Sequence, residues 1–595
     1  LPIARLVLQD SGDIELVAAP ALSALAMVAA WLISGPFLRQ PSKASISDWN
    51  AATRVRAATT ERPYDAYICV GLTALTVFLH LNVNTDITND HAAYLSMSRQ
   101  IVLGNWPIRD FRDDGSLLQI LLTAAVLKID GFRLLGEMLL SWTFFAAASC
   151  LTYWLAFRVS GKRVAAAMAA ALAALLIPRP YAYPKLFIYP FAILVLWRYI
   201  ERPRIGRLFA VAATVALAFL FRIDHGVVIA ATSLVAVAVA HGHEPRQAVR
   251  RCLTLMAACL ICGLPHVLYV MWSAGLSRYL ESIVTFGLFG LSNREPWPVA
   301  LSLQKGILTE TNASAFLLNV SLLIAAIALV RSGLQIWRAW ADGIAAPRNS
   351  LWIFVTVVMW GLMLPMLARG EYYTRVAEVE EPVAILAVWL TVGWLAPDRT
   401  SVKRWTVVGA SLAMVVVALC CRMPVAAFFT QPARVFAGAP FQPHALQDLA
   451  TSPPIDAFAP KDTRNDFRKL VRYVHDCTNP DDRLMVTWFA PEIALFSGRA
   501  FAGDRWSYAN FDNSPERERK ILEIVKSQSI PIVLIDRRRY AGFKENWPSL
   551  AAYFETSYKL AGAVQIEDNH IATVLVHNGR IPSRYVPFLD LPCFN

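Results

Sequence analysis

Apolar runs recur along the chain, separated by short polar connections. They cover residues 16–33, 64–81, 134–157, 164–177, 186–200, 208–221, 227–240, 253–272, 315–330, 351–367, 383–395 and 405–421. A helix of about 20 apolar residues crosses the roughly 30 Å hydrocarbon core of a bilayer, and the shorter runs read as apolar centres of helices with polar ends. The run at 16–33 follows Asp13 and Glu15 rather than a basic stretch, which predicts a retained helix and not a cleaved signal. About twelve spans result.

One further run, 117–129, controls the parity of all that follow. If it does not cross, the basic connections at 158–163, 198–207, 244–251, 331–340 and 398–404 all fall on one face. That face then carries about 16 Lys and Arg in short loops against about 8 opposite, the asymmetry that marks a cytoplasmic side. Residues 117–129 are therefore expected to form a juxtamembrane or half-inserted helix, and the chain from 422 onward to lie outside the cytoplasm.

Composition agrees. Of 595 residues 56% are hydrophobic and 17% charged, with a mean hydropathy of +0.43, far from a soluble domain. The net charge of +12 is spread through short loops, with no basic stripe interleaved with aromatics, so nucleic-acid binding is excluded. Most of the 9 cysteines lie in or beside apolar runs as small hydrophobes, without metal-ligand spacing. Cys477 and Cys593 fall in the polar tail and could pair outside the cytoplasm.

The polar groups of the outer face are unevenly distributed. They concentrate in the stretch 88–119 (TNDHAAYLSMSRQIVLGNWPIRDFRDDGSLLQ), in PRPYAYPK at 178–185, in FRIDHG at 221–226 and in the segment 368–381. Charges beside a membrane are costly and tend to face an internal or water-filled cavity, so their gathering at one face marks a candidate site. A carboxylate there can take a proton from a sugar or lipid hydroxyl, and arginine or lysine can stabilise charge growing on a departing phosphate. HAAYLSMSRQIVLG reads as an amphipathic interfacial helix, with Asn89 and Asp90 as cap candidates and Gly104 closing it. Glu137, inside an apolar run near its outer end, is a candidate buried partner for an arginine.

The first outer loop carries D-x-x-x-Y, then G-x-x-P and an acidic segment, at Asp90, Tyr94, Gly104, Pro107 and Asp110. In these residues the chain resembles the GT-C superfamily of membrane glycosyltransferases, especially bacterial members related to protein O-mannosyltransferases and lipid A aminoarabinose transferases. Family members commonly show an acidic pair where this chain has Asp90 followed by His91, and Asp86 is a second candidate base. The resemblance implies a sugar donor carried on a polyprenyl phosphate, inversion at the anomeric carbon, and a loop aspartate acting on the acceptor hydroxyl. Asp90 is the expected base, with Asp110, Asp113 or Asp114 orienting the acceptor or a cation. Arg179, Lys185, Arg222 and Arg375 are the expected ligands of the lipid phosphate, and Tyr183, Asp224, His225 and Glu371 the supporting groups. No cofactor follows firmly, although the acidic cluster DFRDDG could hold a hard divalent cation.

The domains expected are an N-terminal helix and cytoplasmic loop at 1–63, a GT-C-like membrane domain at 64–421 with its first outer loop at 82–116, a linker at 422–461, and an α/β domain at 462–595. In the last, a helix is predicted over 462–475, a strand over 483–489, a helix from 515 toward 525, and strands at 530–536, 561–566 and 572–576. It has no phosphate-binding glycine loop or nucleophile elbow and is expected to help bind the acceptor.

The overall expectation is a polytopic α-helical protein of a bacterial inner membrane with an extracytoplasmic α/β domain. It would transfer a sugar to a lipid, polysaccharide or protein acceptor. The alternatives are an oligosaccharyltransferase or polysaccharide ligase with a lipid diphosphate donor, or a lipid or glycan transporter.

Overall fold

The computed structural model describes residues 7–8, 14–15, 62–83, 87, 89–113, 115–277, 279–280, 283–284, 310–369, 375–395, 449–450, 452–458, 466–508, 514–567, 570–586 and 589–595. The apolar runs at 16–33 and 405–421, most of the linker, and Asp86, Asp114 and Glu371 lie outside the described residues.

Every apolar run within the described residues forms a helix. In chain order these are α1 (Arg62–Val83), α4 (Leu135–Ser160), α5 (Arg163–Leu175), α6 (Tyr183–Glu201), α7 (Ile205–Phe221), α8 (Ile223–Ala240), α9 (Pro245–Ser273), α10 (Glu310–Ala341), α11 (Arg348–Met363) and α12 (Glu381–Leu395). The first outer loop contributes α2 (Asp90–Val102) and α3 (Leu117–Ile129). Among the described residues 5 helical segments are long and apolar enough to cross a bilayer, and shorter apolar helices stand beside them. The chain is a multi-pass membrane protein.

Helices pack closely because the faces between them are lined by small residues, a device that serves where water supplies no hydrophobic drive. Ala166, Ala169, Ala170, Ala192, Ala212 and Ala236 are all buried in one core. Into it Trp197 and Trp352 stack with centroids 5.0 Å apart. The Trp197 indole N–H donates to the Trp352 carbonyl at 3.2 Å, so a large polar-tipped ring is buried without an orphaned donor.

Short connections make successive helices antiparallel, which sorts the polar groups to two ends. At one end Arg163, opening α5, donates to Asp65 in the first turn of α1 at 2.7 Å, and Arg158, late in α4, pairs with Glu201 at the end of α6. At the other lie the start of α4, the α5–α6 and α7–α8 connections, and the entry to α12.

Both ends of α3 belong to that second end. Gln119, in its first turn, donates to the Tyr181 carbonyl at 3.0 Å, and Asp130, just past its last residue, accepts from the Gly136 N–H in the first turn of α4 at 2.9 Å. Its 13 residues make a rod of about 20 Å. The helix therefore turns back rather than carrying the chain to the opposite end, and the connections at 158–163 and 198–207 share a side, where Arg158 pairs with Glu201.

The C-terminal domain is an α/β unit. Its elements are α13 (Pro454–Phe458), α14 (Asp466–Cys477), β1 (Arg483–Val486), α15 (Pro491–Ser497), β2 (Ala500–Phe501), α16 (Pro515–Ser527), β3 (Ile532–Asp536), α17 (Tyr540–Asn546), α18 (Pro548–Ser557), β4 (Tyr558–Glu567), β5 (His570–His577), β6 (Arg584–Val586) and β7 (Leu591–Cys593). The main sheet has the order β2-β1-β3-β5-β4, with β1 parallel to β2 and β3 and with β5 antiparallel to its neighbours.

Alternation along the buried strands feeds two cores. Leu484, Val486, Ile532 and Leu534 face α14 and α15, whereas Met485, Val533 and Ile535 face the layer of α16 to α18. A disulfide joins Cys477 at the end of α14 to Cys593 in β7.

The first of these cores does not stop at the domain edge. It continues through Ile87, Ala92, Leu95, Leu127, Leu134, Met138 and Trp142 of the membrane part. Helix α2 consequently departs from the amphipathic interfacial helix expected of it. His91, Ala92, Ala93, Leu95, Ser96, Met97, Ser98 and Gln100 are all buried, because the C-terminal domain covers the face that a lone interfacial helix would leave to water.

Candidate functional site

Asp90 sits in the first turn of α2 and was a cap candidate in the sequence. Neither it nor Asn89 supplies a side-chain cap to the helix. Its carboxylate accepts a hydrogen bond from the Tyr181 hydroxyl at 3.0 Å. Tyr181 belongs to a short 3-10 turn, Pro180–Ala182, whose proline leads the chain from α5 into α6. The Arg179 guanidinium lies over the Tyr181 ring, 4.8 Å from its centroid. One tyrosine thus touches the candidate base with its hydroxyl and a cation with its face.

Arg179 is held on its other side by Glu378. Its Nε donates to Glu378 Oε1 at 2.6 Å, and Lys185 Nζ donates to Oε2 of the same carboxylate at 2.6 Å. Glu378, from the turn before α12, is only 1% exposed and Lys185 5%. Burial alone would push the Glu378 carboxyl up, but Lys185 and then Arg179 outweigh it and hold the group well below the usual carboxylate range. A charged triad in a dry setting is sustained by its geometry: removing one member leaves a buried charge uncompensated.

Two more cations complete the group. Arg222, in the sharp α7–α8 connection, donates through Nε to Asp224 at 2.9 Å and lies within electrostatic range of Lys185. Arg375 feels Arg179, Glu378, Tyr181 and Arg222 together. Burial and then the Arg179 charge push the Arg375 guanidinium below its ordinary range, more than Glu378 draws it up. The structure brings together all four cations singled out in the sequence, and Arg179 and Tyr181 both sense Asp90.

Beneath this layer runs a buried polar network. Glu137 accepts from Thr123 at 2.9 Å and lies 3.1 Å from His91 Nε2, and Tyr183 is within 3.5 Å of Thr123. Glu137 thus partners a histidine and a threonine rather than the expected arginine, since the α2 and α3 side chains reach it first. His225 is buried, with Nδ1 3.1 Å from the Tyr189 hydroxyl.

The other loop acids serve their own turns. Asp110 accepts from the Trp106 N–H at 2.7 Å and from Arg109 Nε at 2.9 Å. Asp113 accepts from the Gly115 N–H at 3.2 Å. Neither shares a hydrogen-bonding partner with Asp90 among these contacts. Among the described residues no group of three or more His, Cys, Asp or Glu is placed to hold a metal ion.

Sequence reasoning did not single out Glu378 or Tyr181. The segments 368–381 and PRPYAYPK both stand out in the sequence, but the supporting groups they suggest are Glu371 and Tyr183. An acid set between Ala377 and Val379 at the mouth of an apolar helix was the available signal for Glu378.

No family model and no curated relative matches the chain. Among solved structures it is similar to ArnT from Cupriavidus metallidurans bound to undecaprenyl phosphate, at 12% identity over 87% of this chain and 98% of the other, with a TM-score of 0.44. It is likewise similar to the same protein in the apo state, at 11% identity over the same shares and with a TM-score of 0.47.

Proposed function

We propose that the chain is a glycosyltransferase that takes a sugar from a polyprenyl-phosphate donor and passes it, with inversion, to a hydroxyl of an envelope acceptor. The observation that carries this reading is the grouping of Arg179, Lys185, Arg222 and Arg375 at one end of the helix bundle, with Arg179 in range of Asp90. Cations in a low-dielectric setting bind a phosphate and stabilise the charge it gains when the sugar departs, and Arg179 offers the planar fork that suits it. Asp90 takes the proton from the acceptor hydroxyl, which makes that oxygen a nucleophile at the anomeric carbon, while the carrier leaves as the lipid phosphate. The Tyr181 hydroxyl orients the Asp90 carboxylate.

The basic connections at the opposite end support a site on the extracytoplasmic side of a bacterial inner membrane, with the C-terminal domain in the periplasm. The Cys477–Cys593 disulfide fits an oxidising compartment.

The test is mass spectrometry of envelope glycolipids from cells carrying the wild-type chain or Asp90→Asn. Loss of the base lowers the sugar-bearing product by about 100-fold or more. Purified Asp90→Asn protein still binds undecaprenyl phosphate, because the cations remain. Near-normal product from that variant refutes Asp90 as the base, and a purified protein that moves carrier lipid across vesicles without forming a glycosidic bond refutes transfer altogether.

A further inference from the structure

We propose that Glu492, in the C-terminal domain, is a positioning residue for Asp90, so that this domain builds the catalytic end of α2. This rests on the function proposed above.

The argument starts with the residue before the helix. Asn89 has φ of 58° and ψ of −133°, in the region that side-chain-bearing residues avoid, and its side chain gives α2 no cap. A backbone in that conformation persists only where its surroundings hold it. The Asn89 N–H donates to Glu492 Oε1 at 2.5 Å, across 403 positions of sequence. Glu492 is in the first turn of α15, directly after Pro491, and the Pro491 carbonyl accepts from Ser96 Oγ, two turns further along α2, at 3.1 Å. The same short helix therefore grips α2 at the residue just before it and on its flank.

The other end of the loop is gripped as well. Arg483, opening β1, donates to Gln100 at 3.3 Å and to Asn105 at 3.1 Å, and the Arg112 N–H donates to the Asp504 carbonyl at 2.9 Å. With α2 fixed at both ends, the register that meets Tyr181 with Asp90 is set from the C-terminal domain. Glu492 also sits close enough to Asp90 for their charges to interact. Among these contacts, the Glu492 bond is the one that falls on the backbone adjoining the candidate base.

The experiment uses the full-length protein in nanodiscs and in cells. Glu492→Ala removes the acceptor; Glu492→Gln keeps a carbonyl oxygen in its place. The alanine variant is expected to lose about 10- to 100-fold of the glycolipid product, as small misplacements of a reacting group do. Its affinity for undecaprenyl phosphate should stay at the wild-type value, and amide exchange of residues 89–93 should quicken. The glutamine variant should recover product and slow exchange.

Wild-type product from Glu492→Ala overturns the proposal, as does a glutamine variant as impaired as the alanine one. If the alanine variant does not fold, Glu492→Asp, which withdraws the acceptor by one methylene, takes its place: lost product with quickened exchange supports the proposal, and wild-type product overturns it. If Asp90→Asn keeps its product the functional reading fails, and the exchange measurement still decides whether Glu492 holds Asn89.

Discussion

The two ends of the helix bundle are built from the same kinds of ion and use them differently. At the basic end Arg163 meets Asp65, with exposures of 28% and 30%, and Arg158 meets Glu201 at 25% and 19%. At the opposite end one carboxylate, Glu378, at 1% exposure serves two cations, with further arginines close by. Ion pairs in contact with water gain little and cost little; those taken out of water are held by one another or not at all. On the function proposed above, the first arrangement belongs to the cytoplasmic side, and the second would hold positive charge where a phosphate can use it.

The largest test of this contrast is Glu378→Ala. It leaves Lys185 buried and Arg179 half-buried without their shared partner, a loss of about 3–5 kcal/mol for a broken buried pair. The thermal transition of the purified protein in nanodiscs should fall accordingly, and Glu378→Ala with Lys185→Met should recover part of the loss, since the second change removes the stranded charge. The sign with pH follows from the lowered Glu378 carboxyl. Its stabilising contribution is present above its ordinary value of 4.5 and is lost only as pH falls through the lower value it has in the fold. A Glu378→Ala protein no less stable than wild type would mean the buried triad is not what holds this end.

Arg179→Lys is the finer cut, keeping charge and altering shape. A lysine ammonium cannot present the planar fork that meets a carboxylate or phosphate with two parallel bonds. Affinity for undecaprenyl phosphate is expected to weaken by about tenfold, about 1.4 kcal/mol, with the thermal transition much less affected than by Glu378→Ala. Unchanged affinity would mean that Arg179 serves Glu378 and Tyr181 alone.

How much of this could be read from sequence depended on the range of the interaction. Helix positions within the described residues were legible because apolar run length is a local property, and the turning back of α3 was expected because basic loops record sidedness. Arg179, Lys185, Arg222 and Arg375 stood out because a charge next to an apolar helix needs a reason. Glu378 did not, since Glu378, Glu380 and Glu381 look alike in sequence and differ only in what meets them. Glu378 receives Arg179 from 199 positions away, whereas Glu380 accepts from Ser321. The C-terminal domain was legible as strands and helices, but its hold on α2 rests on contacts across 378 to 403 positions and leaves no local trace.

The smallest effect completes the contrast. Asp65 Oδ1 accepts from Arg163 Nε and from the Tyr153 hydroxyl, each at 2.7 Å. Asp65→Asn keeps an oxygen for both donors and removes only the charge, at a position that water still reaches. The expected loss is about 0–1 kcal/mol, the range of exposed pairs, and raising the salt concentration should shrink the difference further. Carrier-lipid affinity should not change, because the pair stands at the other end of the bundle. If Asp65→Asn instead cost as much as Glu378→Ala, or weakened undecaprenyl phosphate binding, burial would not be what separates the two ends, and the cations around Glu378 would lose their claim to be a phosphate site.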